Sequence, residues 1–518
     1  MSEKKAAENS AIEISNMLDK RKISDMQGVE VVYEDDNDED YVVEERKKKT
    51  RKIDVMGTVS NTGDRLGLSA REKAMFAAHV VKSVGVAVEE TNISYSTASR
   101  KGREKRFETE KEIRVAFVTP DYVVIHWDGK ILKLKAGKKG EFIAVYLSGE
   151  NADKVTKLFG VPEVDSGSGE AQKEAVVEML MKWNVFEEIT GIVFDTTSSN
   201  TGQDIGACKL LEEYLEKAVL WLACRHHIYE LHIKHVVGAV TGTTTDPGVK
   251  LFRRLKSEWN SLTINYMELK KFDHSCSSSL LVKRGQVMLA WAEAHLSDGT
   301  WPRCDYKELL ELVITWLGGS VPSFTLKYPG ADHHARWLSK AIYYMKLALL
   351  IGQFPMDQKE QQEVFFIAEF VALFYAKGFF KSPLASAAPK TDLEFMSGIL
   401  QYRVVQPKLA FICLQSCYKH LWYLTPRLVV FSLCDKDLED AEREEVANTL
   451  FSKPVIPSIG LEDVPVPKLS SFLSEESWLL FDLQGIEAPQ DWMQTPVKFW
   501  TSSQTTSSIR TMSPILVL

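Results

Sequence analysis

Hydrophobic and polar positions follow three different rhythms along this chain, and each predicts a different kind of structure. Residues 1 to 68 hold blocks of charge with no sustained helical or strand period, which predicts a disordered N-terminal arm. At Ser69 the pattern changes. Ser69 stands three residues before Glu72, the spacing of a capping box, and Phe76, Ala77, Val80, Val81 and Val84 fall on one helical face. A short segment from Val86 to Asn92 leads into a Ser/Thr-rich start at Ile93 and then into Arg100, Lys101, Arg103, Lys105 and Arg106. Helix, short helix and basic helix over residues 69–108 is the outline of a helix-turn-helix, with Arg100, Lys101 and Arg103 as DNA contacts. A linker or a protein-contact helix has the same pattern, and both readings stand.

The second rhythm belongs to strands. Tyr122 to Asp128 is a β-rich run that continues through Leu132, and Glu141 to Leu147 is another; Lys135 to Gly140 between them suits a hairpin connection. A third, short strand falls near Leu158 to Val164. Glu170 to Trp183 is amphipathic at helical spacing, Ile189 to Asp195 is an apolar strand ending on a carboxylate, Ile205 to Leu215 reads as a helix, and Ala218 to Ala223 as a buried strand. The order is β-β-β-α-β-α-β over residues 110–236.

The third rhythm is helical and aromatic. Leu251 to Met267, Leu280 to His295, Tyr306 to Trp316, Arg336 to Leu350 and Val364 to Phe380 carry apolar residues at helical spacing, which predicts a helical domain over residues 237–450. Its tryptophans are expected in the core. Residues 451–518 are expected as an irregular C-terminal tail, with ordered islands at Trp478 to Phe481 and Trp492 to Trp500.

Composition narrows the class. The 518 residues are 45% hydrophobic, ample for a substantial core. No run of eighteen uninterrupted apolar residues occurs and Met1 to Asn9 is charged, so neither a membrane span nor a secretory signal is expected. Seven cysteines, an odd number beginning only at Cys208, read as reduced thiols of an intracellular protein rather than a disulfide framework. The net charge of -8 excludes a uniformly basic coat, but an acidic run from Glu34 to Asp40 is followed by a basic one from Arg46 to Lys52. Such runs form solvated arms; the basic one can also contact phosphate or serve as a nuclear address.

The β-β-β-α-β-α-β order is that of an RNase H-like fold, in which the first and fourth strands are neighbours. That would bring together Asp128 on the first and Asp195 at the end of the fourth. Adjacent carboxylates repel and tend to persist where a divalent cation neutralises them. Two Mg2+ or Mn2+ ions held in this way would activate a water or 3'-hydroxyl and stabilise the leaving oxygen in phosphodiester chemistry. Singly, Asp128-Gly129 also reads as a turn and Asp195 as a helix-capping residue.

These residues resemble the hAT family of DNA transposases and the transposase-like proteins derived from it. Asp128 and Asp195 match the first two acids of that family. Asp195-Thr196-Thr197-Ser198-Ser199-Asn200 is similar to its Asp-x-x-x-Asn turn with one extra residue. Cys224-Arg225-His226-His227 matches its Cys-x-x-His, and Arg336-Trp337 resembles the Arg-Trp pair of its helical insertion domain. The resemblance implies an RNase H-like mixed sheet with a large all-helical insertion or following domain, DNA as partner, a nuclear location, and cleavage with strand transfer as the ancestral chemistry. A homo-oligomer is compatible with it.

By the same resemblance Trp337 would steady a DNA end by stacking on an unstacked base, with Arg336 beside it. Cys224 and His227 would shape the site, His227 by contacting phosphate or ordering the loop. A zinc reading of Cys224 and His227 with His226, His232 and His235 lacks a second pair at suitable spacing. The third acid is not fixed by the pattern. Glu369, inside the apolar run Val364 to Val371, is the first candidate, because an unpartnered carboxylate there is costly; Glu394 is the second. The helix opening Asn-Asp-x-Ala-Glu-Arg-Gly that such proteins often carry is missing from the sequence, so an impaired site is expected. An active nuclease and a non-enzymatic nuclear scaffold are the rival readings.

Overall fold

The computed structural model describes residues 52–120, 122–133, 139–149, 157–242, 249–273, 278–299, 301, 303–330, 338–452 and 467–483. The chain forms two compact units, Met1–Val115 and Ala116–Leu518.

In the first unit the expected arm meets a correction over its last residues: Val55–Arg65 is a helix, α1. Local periodicity is weak there, and the helix is fixed by distant partners instead. Asp54 caps it by accepting from the Gly57 N–H at 2.7 Å, and Asn92 donates to Asp54 at 2.5 Å while accepting from the Met56 N–H at 3.0 Å. Residues 1–51 lie outside the described residues.

Two further helices complete this unit: α2, Ala70–Ser83, opened by the Ser69/Glu72 capping box, and α3, Tyr95–Val115, with a single 3-10 turn at Val88–Glu90 between them. Ala77 of α2, Met56 of α1 and Ala98 of α3 form a small core. The apolar face expected on α2 is only half used. Ala77 and Val81 are buried, whereas Phe76, Val80 and Val84 remain 63%, 46% and 70% exposed. The apolar arc is wider than the contact that small side chains at Ala77 and Ala98 allow.

The second unit is mixed α/β. Its six-stranded sheet comprises β1 Val123–Lys133, β2 Lys139–Gly149, β3 Lys157–Gly160, β4 Glu163–Val164, β5 Ile189–Phe194 and β6 Leu220–Ala223. The order is β3-β2-β1-β5-β6, with β4 on β2; β1 runs antiparallel to β2 and parallel to β5. The third strand expected near Leu158 to Val164 is thus two short ones. Val123 to Trp127 and all of β5 are buried, so both faces of the centre are covered, as expected for continuous apolar strands. Helix α4, Gly169–Trp183, covers one side with Trp183 stacked on Phe159 at 4.7 Å between ring centres.

Helix α6, Arg225–Thr241, follows β6 directly, after α5, Ala207–Leu215. One continuous hydrophobic core runs from Val123 to Phe481, so the expected division between residues 110–236 and 237–450 is not a boundary of packing. The physical reason is α6, which leaves the sheet and is enclosed by Gln358–Phe370 and Pro407–His420.

Several of the expected helices have different limits. The segment read as helical to Met267 is a helix only over Lys250–Glu258, followed by 3-10 turns. Gln358–Phe370 continues through a π-helical stretch, Val371–Tyr375, into Ala376–Phe380. Within the expected irregular tail, the ordered island at Trp478 to Phe481 is present and order extends back to Leu469, with Leu469, Leu473, Leu480 and Phe481 buried in the same core. Trp492 to Leu518 lies outside the described residues.

Candidate active site

The parallel pairing of β1 with β5 builds the site. Its last register partners are His126 and Val193, so two residues further along each strand stand Asp128 and Asp195. Alternation along a strand puts residues two apart on one face, so both carboxylates leave the same face of the sheet. Neither is buried outright. The Asp128 carboxyl is held above the ordinary carboxylate range, first by burial and then by the negative charge of Asp195, with Lys130 opposing.

Asp195 is held by the turn that follows it. Its Oδ1 accepts from the Thr197 N–H at 3.1 Å, the Thr197 hydroxyl at 2.6 Å and Asn200 Nδ2 at 2.6 Å. Asn200 is in turn fixed from below, its Oδ1 accepting from the indole N–H of buried Trp127 at 2.9 Å. The chain of contacts Trp127–Asn200–Asp195 therefore runs from the core of β1 to the end of β5. Oδ2 is left toward the open side, 4.0 Å from His227 Nε2.

Cys224 sits one residue past β6. Its N–H donates to the Phe194 carbonyl at 2.8 Å, carrying the sheet one bond further and starting α6 where His227 reaches Asp195. Burial pushes the Cys224 thiol up to about 11, so near neutral pH it is a protonated, apolar packing group. Burial also lowers His227, against the opposing pull of Asp195.

The structure thus brings together Asp128, Asp195, Cys224 and His227. It does not bring Glu369 to them. Glu369 is buried in the helical body, where its Oε1 accepts from the Tyr402 hydroxyl at 2.6 Å, and burial raises its pKa. The costly carboxylate that singled it out is accounted for by Tyr402. Glu394 is exposed and paired with Lys377 at 2.8 Å. Among the described residues no group of three or more His, Cys, Asp and Glu is arranged to hold a metal ion. The other histidines also go elsewhere: His226 faces the Tyr306 hydroxyl at 3.2 Å, while His232 and His235 share Ser416 at 2.8 Å each.

No family model matches the chain, and no curated protein matches it.

Two carboxylates on one face, one of them raised by burial and then by the charge of the other, form a partial receptor for a divalent cation. A cation between them would remove the repulsion that adds to the effect of burial on Asp128. Arg336 and Trp337 lie outside the described residues. On α3, Arg100 pairs with Glu104 at 2.8 Å and Lys101 with Glu104 at 3.1 Å, so part of the expected positive charge is cancelled on the helix itself. Arg103 is exposed with no ion pair among the described residues. The partners missed from sequence are Trp127 and Asn200; the Asp-Thr-Thr-Ser-Ser-Asn turn carried the signal for Asn200.

Proposed function

We propose that this chain is a transposon-derived, RNase H-like DNA-binding protein whose ancestral chemistry was metal-dependent DNA cleavage and strand transfer, and whose catalytic site is impaired. The observation that carries the reading is the Asp128/Asp195 pair on two adjacent parallel strands, Asp128 within β1 and Asp195 just past the end of β5, in a sheet ordered β3-β2-β1-β5-β6. That strand order supports the RNase H-like assignment. Asp128 and Asp195 would hold Mg2+ or Mn2+, which when bound would activate a nucleophilic oxygen for attack on a phosphodiester. Thr197 and Asn200 orient Asp195, and His227 stands where it can donate to a phosphate oxygen. Impairment follows from the two-acid set: the described residues supply no third carboxylate at the pair.

Titration calorimetry with Mn2+ on the full chain, beside Asp128→Ala and Asp195→Ala, tests the metal. Plasmid nicking by the same three proteins tests the chemistry. Weak Mn2+ binding that both substitutions abolish, without nicking, is the expected outcome. Nicking lost in both variants would establish an active nuclease instead; no Mn2+ binding in the wild type would sink the metal-site reading. The scaffold reading is favoured by one observation, the exposed stripe of Phe76 and Val80 on α2 with Val84 at its C-cap, which suits a protein contact.

A further inference from the structure

A cavity of about 940 Å³ opens in the helical body, between α6, the start of Lys250–Glu258, Ser339–Leu349, Gln358–Phe370 and Pro407–His420. Its volume lies at the upper end of the range typical of small-molecule sites. Four lysines from four different elements converge on it: Lys234, Lys250, Lys340 and Lys419.

Two carboxylates also line the cavity, and both are already engaged. Glu360 accepts from Arg254 at 2.7 and 3.1 Å and closes the capping box of its own helix. Glu363 faces Lys359 at 3.6 Å. By contrast, Lys234, Lys250 and Lys419 have no carboxylate within ion-pair distance among the described residues. Lys340 lies near Glu230, whose Oε1 already accepts from the Leu338 N–H at 2.9 Å and the Tyr375 hydroxyl at 2.7 Å. The cavity therefore carries an uncompensated positive charge on a concave surface, where field lines concentrate.

Its walls are not only charged. Val237, Leu251, Tyr344, Val364 and Ile412 give it an apolar lining that a bare inorganic anion would not use. We propose that this cavity binds a phosphorylated small molecule with a ring body, of the nucleotide class, its phosphates on the lysines and its ring against the apolar wall. The proposal does not depend on the Asp128/Asp195 reading, because it shares no residue with that pair. A single small ligand is preferred to a nucleic-acid strand because the lysines ring one half-open concave pocket rather than following an extended track.

Titration calorimetry of the full chain with ATP, tripolyphosphate and a short DNA duplex, in buffer without divalent cations, tests it. ATP is expected to bind more tightly than tripolyphosphate. Lys419→Glu and Lys234→Glu are each expected to weaken ATP by about tenfold or more, the scale of a lost charge-assisted contact. Lys130→Glu, on an exposed part of β1, is expected to leave it unchanged. No ATP binding at millimolar concentration would overturn the proposal. So would equal weakening by Lys130→Glu, tripolyphosphate binding as tightly as ATP, or a duplex that binds while ATP does not and is lost in Lys419→Glu.

Discussion

Two pairs of charged groups in the second unit carry opposite messages. Arg225 and Asp392 are fully buried and joined at 2.5 Å; Tyr229 donates to the same Asp392 oxygen at 3.0 Å, and Arg225 donates to the Lys381 carbonyl at 2.8 Å. Asp128 and Asp195 are like charges, partly exposed, with only Asp195 well supplied with donors. The first pair is matched in charge within the protein and ties α6 to the helical body, although Arg225 Nε and Asp392 Oδ2 are buried with no hydrogen-bond partner among the described residues. The second is incomplete without a proton or a cation. Burial with compensation marks structure, while partial exposure without compensation marks a place where something from solvent belongs.

The largest effect expected from breaking this contrast is at the buried pair. Asp392→Ala leaves a guanidinium buried without its counter-ion and should lower stability by about 3–5 kcal/mol, read from urea denaturation midpoints. The double change Arg225→Met with Asp392→Leu should recover most of that loss. Equal destabilisation by the single and double variants would show that shape, not charge, governs the site.

A smaller effect comes from His126, one pleat behind Asp128. Burial holds its ring near 4 against an ordinary 6.5, and its Nε2 lies 2.6 Å from the Ser148 hydroxyl. The unfolded chain takes up a proton below about 6.5 that the folded chain accepts only near 4. Its contribution is therefore whole above pH 6.5 and lost as pH falls through that window, on the order of 3 kcal/mol in all, at about 1.36 kcal/mol per unit. His126→Asn should flatten the dependence of the urea midpoint on pH across this range; an unchanged slope would mean that the folded ring takes up protons freely.

The smallest effect is expected at the acidic pair, and with the opposite sign. Asp128→Asn removes one of two like charges and should raise stability by about 1 kcal/mol, the scale of a near-surface interaction between charges. It should also erase any thermal shift that Mn2+ gives the wild type. A destabilised variant would mean that the Asp128 carboxylate is satisfied in the protein alone.

The legible parts of this molecule are those whose partners lie close in sequence or repeat with a short period. The runs Val123 to Trp127 and Ile189 to Phe194 declared buried strands, and a carboxylate at each end suggested a shared site. The Ser69/Glu72 box announced α2 because a cap is written within four residues. The Arg225–Asp392 contact was illegible, since 167 positions separate its partners and neither neighbourhood carries a mark of the other. Helix α1 escaped for a related reason: the side chain that organises its first turn is Asn92, which accepts from the N–H of Met56, 36 positions away. Glu369 was misplaced because a carboxylate in an apolar run signals a partner without naming it, and the partner is Tyr402.

The π-helical stretch at Val371–Tyr375 has a consequence for how this body tolerates change. An extra residue in a turn advances the phase of everything after it by about 100°, the angular step of one helical residue. Before the stretch, Glu369 is aimed at Tyr402; at its last residue Tyr375 reaches Glu230, and after it Gly378 lies so close to Tyr229 that a Cβ there would stand 2.1 Å from the ring. Deleting one residue between Val371 and Tyr375 would restore an ordinary helix and turn every later side chain to the wrong neighbour. The segment is a phase adjuster between two sets of partners, and length matters there more than composition.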